Sequence, residues 1–154
     1  MARQTIEERY DDTIAQQMIG YSNAMAGLPA YLGITLLRFA PGRLTAAADL
    51  TTQVPTPSGN VHGGVVAGIF DHITGVVIYP LIPDGHWGAT TELKLNYIAP
   101  IIPILLRAEA TVLAITNRSA VVRAEAFQED RLVAAAQGTI TIVAPRRAAA
   151  GASA

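Results

Sequence analysis

Apolar residues recur at every fourth position near the start of the chain: Ile6, Tyr10, Ile14 and Met18. That spacing predicts one stripe of an amphipathic helix, ending near Gly20. A short second helix is expected over residues 21–28, ahead of Pro29. The period then changes. Residues 31–40 and 43–52 read as two strands joined at Pro41-Gly42, a strong turn pair. Residues 53–60 hold two prolines, Ser58, Gly59 and Asn60, and read as loop. From about Gly63 the chain turns almost wholly apolar, as a helix that stops before Pro80. After Pro83-Asp84-Gly85 polar and apolar residues alternate again. Thr91 to Tyr97 reads as a half-exposed strand. Residues 105–115, 119–127 and 131–143 read as further strands, the last two separated by the Glu129-Asp130 turn.

A helix that is apolar nearly all round must be wrapped on most of its sides. An antiparallel sheet curled around it does that. The expected fold class is therefore α+β: a sheet of five to six strands around one long central helix, plus an N-terminal helix. Residues 1–29 form the N-terminal helical segment and 30–144 the main domain. Residues 145–154, rich in Ala and Arg, are expected to be a disordered tail.

Composition narrows the picture. Only 15% of the 154 residues are charged and 51% are hydrophobic. A monomer of this size normally carries a skin with roughly a quarter of its residues charged. Part of the surface is thus expected to be buried against another subunit. The net charge of -1 offers no electrostatic footing for nucleic acid. There is no cysteine, which excludes disulfides and thiolate metal sites. Three scattered histidines show no metal-ligand spacing. The N-terminus has no signal-peptide core, and residues 65–83, the most apolar stretch, are interrupted by Asp71, His72 and two prolines. The expected location is the cytoplasm, with no membrane partner.

The candidate chemistry lies in Gly59-Asn60-Val61-His62-Gly63-Gly64 and in Asp71, further along the same helix. Backbone N–H groups at a helix N-terminus lack intrahelical partners, and the helix dipole favours negative charge there. Gly63 and Gly64 suit a carbonyl oxygen that gains charge on attack, and glycine lets a substrate approach closely. A carboxylate inside an apolar helix must be paired, hydrogen-bonded or in use. Asp71 lies about 12 Å from Gly63 along the axis. One carbonyl cannot touch both groups on one helix. If both act on one acyl group they come from different chains, which predicts an active site at a dimer interface. Asp71 would serve as general base on water or attack the acyl carbon itself, and the sequence leaves both open. His62 is read as a hydrogen-bonding orienter or a base. His72, about 100° around the helix, is read as a core or interface residue. Val66, Ile69 and Phe70 are expected to line an acyl pocket. Arg118 and Ser119 are candidates to meet phosphates, because Arg pairs with phosphate oxygens.

These residues resemble the hotdog-fold acyl-CoA thioesterases, especially the phenylacetate-degradation (PaaI-like) subgroup. The matching pieces are Gly59-x-x-His62-Gly63-Gly64, Asp71, Gly75, the stretch from Ala89 to Tyr97 followed by Pro100, the Asn117-Arg118-Ser119 turn, and the strand from Val133 to Thr139. The resemblance implies hydrolysis of an acyl-CoA to a carboxylic acid and free coenzyme A, with no cofactor. It implies edge-strand pairing into a homodimer, often assembled into a homotetramer. It also implies that Thr90 helps hold the attacking water. Similar enzymes carry an Asn six residues before the His of His-Gly-Gly; here that position is Thr56, and Asn60 offers an amide at a different spacing. Two rivals remain. A hotdog hydratase would show Gly-His-Phe-Pro or Asn-Pro-x-His-x-Asp, and neither occurs. A non-catalytic acyl-CoA-binding protein would keep the fold and lose turnover.

Overall fold

The computed structural model describes residues 4–53 and 55–145, so the expectation of a disordered tail falls, beyond Pro145, outside the described residues. The single N-terminal helix of the sequence reading is instead two helices, α1 (Ile6–Arg9) and α2 (Asp12–Ala24). Thr5 and Glu8 close a capping box on α1. Two residues after α1 ends, Asp11 caps α2, its carboxylate accepting the N–H groups of Thr13 and Ile14. Gly20 does not end α2, which runs on to Ala24. A short helix, α3, covers Leu28–Tyr31 rather than 21–28.

Strands β1 (Ile34–Ala40) and β2 (Arg43–Asp49) form the hairpin at Pro41-Gly42, with Gly42 at a φ of 67°. The apolar helix α4 runs Gly63–Val76 and is followed by a 3₁₀ turn at Tyr79–Leu81. Then come β3 (Trp87–Tyr97), β4 (Leu105–Ile115), β5 (Ser119–Gln128) and β6 (Arg131–Val143). All pairs are antiparallel, in the order β1-β2-β4-β5-β6-β3. Strand β3 starts four residues earlier than its alternation suggests. The ladder slips between Thr90 and Glu92, and this bulge breaks the period.

The sheet wraps α4, whose Val66, Ile69, Phe70 and Ile73 are completely buried. Two rows of small residues make this approach possible. Ala46, Ala108, Ala126 and Ala134 are neighbours across four strands, and Ala110, Ala124 and Ala136 form the next row between Leu44 and Leu95. All seven alanines are buried. Large helix side chains over small sheet side chains fill the layer at ordinary packing density. The segment Gly63–Leu81 has a mean hydropathy of 1.5, long and apolar enough by composition to cross a membrane. Here the sheet supplies its apolar surroundings.

Candidate active site

Helix α4 sets the geometry. His62 is its N-cap, in extended conformation, and its Nδ1 accepts the Gly64 N–H at 2.9 Å. That places the ring proton of a neutral His62 on Nε2. The Gly64 N–H is therefore engaged, whereas the Gly63 N–H has no partner among the described residues. The pair of free glycine donors in the sequence reading reduces to one.

The Tyr97 hydroxyl, at the far end of β3, donates to the Gly63 carbonyl at 2.8 Å. Asn60, Val61, Gly63 and Tyr97 line a cleft of about 510 Å³, completed by Ile98 to Ile101. The Val61 N–H bonds the Ile101 carbonyl and joins the two lining segments. Thr56 is not part of this lining. Its hydroxyl meets Ser58 at 2.9 Å, and its N–H bonds the Asn60 carbonyl, so it shapes the turn that presents Asn60.

The outward stripe of α4 holds Gly64, Ala67, Gly68, Asp71 and Gly75 on one face of the helix, with the buried residues opposite. Asp71 is exposed, not buried, and its carboxylate has no hydrogen bond or ion pair among the described residues. Thr90 stands beside the same stripe: its hydroxyl lies 3.9 Å from where a Gly75 side chain would begin. Asp71 and Gly75 are one helical turn apart, so Asp71 and Thr90 share one end of the site. His72 turns the other way. Its Nε2 meets the Ser22 hydroxyl of α2 at 3.0 Å, and burial pushes its pKa down, partly opposed by Asp71.

The expected acyl lining is corrected. Val66, Ile69 and Phe70 are each 0% exposed and point into the core beneath the sheet. Arg118 and Ser119 sit in the β4–β5 turn, where Thr116 Oγ1 accepts both their N–H groups. Ser119 is level with Thr141 and, through it, with Ala89. These two residues thus belong to the β3 end that carries Thr90, away from the Gly63 cleft. Tyr97, the residue that closes that cleft, had no role assigned from sequence. Its only signal was its place at the end of an alternating strand shortly before Pro100.

The profile of the Thioesterase superfamily matches residues 58–135. Among curated proteins none matches. A conserved protein of known structure from Pseudomonas aeruginosa is 26% identical, covering 84% of this chain and 99% of its own, with a TM-score of 0.74. A phenylacetic acid degradation-related protein from Ralstonia eutropha JMP134 is 24% identical over 83% and 98% of the two chains, with a TM-score of 0.75. A thioesterase from Haemophilus influenzae is 17% identical over 93% of each, with a TM-score of 0.73. The wrapped helix, the sheet order and a profile that spans half the chain lead to one assignment: this protein has the hotdog fold and belongs to the thioesterase superfamily.

Proposed function

We propose that this protein is an acyl-CoA thioesterase of the PaaI-like type, acting as a homodimer with two inter-subunit active sites. The observation that carries the reading is the exposed, unpaired carboxylate of Asp71 on a helix whose Val66, Ile69, Phe70 and Ile73 are core. Such a group is free to act on a substrate, and its position does nothing for the packing of the chain.

The dimer follows from the direction of β3. Its start lies near the C-terminal half of α4, where Gly88 meets Ile78 and Thr90 faces Gly75. Its end lies at the N-terminus of α4, where Tyr97 meets Gly63. Strand β3 is an edge strand. A two-fold antiparallel pairing of β3 with its copy brings the Asp71–Thr90 end of one subunit beside the Gly63–Tyr97 end of the other. The separation of about 12 Å along one helix is thereby bridged between two.

In this arrangement the thioester carbonyl accepts the Gly63 N–H, whose donation strengthens as the oxygen gains charge. Asp71 of the other subunit acts on water held by Thr90, or on the acyl carbon directly. His62 presents Nε2–H at the same helix mouth, and Asn60 supplies an amide at the cleft. Arg118 and Ser119 lie at the β3 end that pairing brings toward the partner's cleft, within range of a phosphate arm of coenzyme A. The products are a carboxylic acid and the free thiol, released in the cytoplasm; a homotetramer is the expected larger assembly. The apolar acyl lining comes from the cleft residues rather than from Val66, Ile69 or Phe70.

The replacement of the family Asn by Thr56, which is tied into a turn, supports the second reading of a non-catalytic acyl-CoA-binding protein. Thiol release from a panel of aromatic and aliphatic acyl-CoAs, with wild type and Asp71→Asn side by side, separates the two. Hydrolysis by wild type alone supports the enzyme. Tight binding without turnover in both supports the binder.

A further inference from the structure

We propose that Tyr97 is a positioning residue of this site: its hydroxyl holds the Gly63–Gly64 peptide, and through it His62, in the conformation that turnover needs. This inference rests on the thioesterase reading. Three contacts in series carry it. The Tyr97 O–H donates to the Gly63 carbonyl at 2.8 Å. That carbonyl belongs to the same peptide unit as the Gly64 N–H, which donates to His62 Nδ1 at 2.9 Å. The His62 ring then carries its proton on Nε2, at the exposed mouth of the helix. A donor on the carbonyl polarises the peptide and strengthens the bond its N–H makes, so the three groups act together.

The ring contributes as well as the hydroxyl. A Cβ on Gly63 would come within 2.7 Å of Tyr97 Cζ and 2.8 Å of its hydroxyl oxygen. Real Cβ contacts do not approach that closely, so a side chain at residue 63 would push the Tyr97 ring out of its place against the helix mouth. Tyr97 is nevertheless 54% exposed and lines the cleft. A side chain of that exposure contributes little to the core. Its register partner is Ala134, the last of the small-residue row, which leaves the ring free to lean toward α4. One edge-strand residue thus ties the end of β3 to the start of the helix whose first N–H faces the substrate.

The test is Tyr97→Phe, which keeps the ring and removes the hydroxyl. With an acyl-CoA that wild type hydrolyses, kcat is expected to fall about tenfold, KM to change less than about twofold, and Tm to stay level, since one neutral hydrogen bond at a partly exposed site is lost. The Gly64 amide-proton resonance should move upfield as its bond to His62 weakens. A Tyr97→Phe enzyme with unchanged kcat overturns the proposal. So does a kcat loss that merely follows a fall in Tm, or an unmoved Gly64 amide. Wild type inert toward every thioester is a different failure, which sinks the thioesterase reading and this inference with it.

Discussion

Asn23 of α2 grips the backbone of Leu36 from both sides, accepting its N–H at 2.8 Å and donating to its carbonyl at 3.0 Å. The side-chain amide imitates the neighbouring strand that β1 lacks. One edge of the sheet is thereby closed by a helix, and the edge at β3 is left as the one with backbone groups to offer. Asn23→Ala should cost about 1 kcal/mol, from two lost bonds at a partly exposed site. It should also raise self-association, read by light scattering on heating. Unchanged Tm and scattering would show that β1 needs no such cover.

The N-cap role of His62 is separable from the role proposed for it in turnover. As N-cap His62 satisfies the Gly64 N–H. His62→Ala should lower stability by about 1 kcal/mol. His62→Asn should keep the cap, since Asn is among the strongest N-cap residues. If the imidazole Nε2–H also serves turnover, His62→Asn loses activity at near-wild-type Tm. Full activity in His62→Asn would confine His62 to capping.

An inter-subunit site of the kind proposed predicts complementation. Gly63→Ala and Asp71→Asn should each be inactive as homodimers. Mixed by refolding, half the dimers become heterodimers with one intact site of two, and activity should recover to about a quarter of wild type. No recovery in verified heterodimers would place both groups in one chain's site.

Stability should depend on pH through His72. Burial holds its imidazole below the ordinary value of 6.5, with Asp71 pulling weakly the other way. The folded form keeps the ring neutral while the unfolded chain begins to bind a proton near 6.5. The stability is thus fully present above that pH and is lost as pH falls through it toward the lowered folded value. Tm should drop between pH 7.5 and 5, and the drop should shrink in His72→Gln. An equal drop in the variant would assign it to other groups.

The alanine rows predict sensitivity to bulk. Ala126 is fully buried between Ala108 and Ala134, under α4. Ala126→Leu should cost about 1–3 kcal/mol by overpacking. Denaturant midpoints would read it, and tolerance of the leucine would mean that a void lies under the helix.

Much of this was legible along the chain. The period change after Pro29, the turn at Pro41-Gly42 and the all-apolar run after Gly63 were enough to indicate a wrapped helix and an antiparallel sheet. The spacing of His62, Gly63 and Asp71 marks α4 as the carrier of the proposed chemistry. The errors have local causes. The stripe from Ile6 to Met18 ran across the break at Asp11, because apolar spacing is blind to a cap that starts a new helix. Alternation starts β3 only at Thr91, because the bulge after Thr90 disrupts the period of its first four residues. Val66 and Phe70 read as pocket residues from sequence because periodicity distinguishes polar from apolar faces, not core from cleft.

The sequence by itself determined the element types, the wrapped-helix class and the place of one carboxylate, since these depend on local spacing and side-chain chemistry. Only the tertiary structure decided which donors are free. Gly64 is engaged by His62, Gly63 is held by a tyrosine 34 residues away, and Asp71 faces outward. Those facts depend on how β3 runs back along α4, a relation between distant segments that no local pattern encodes.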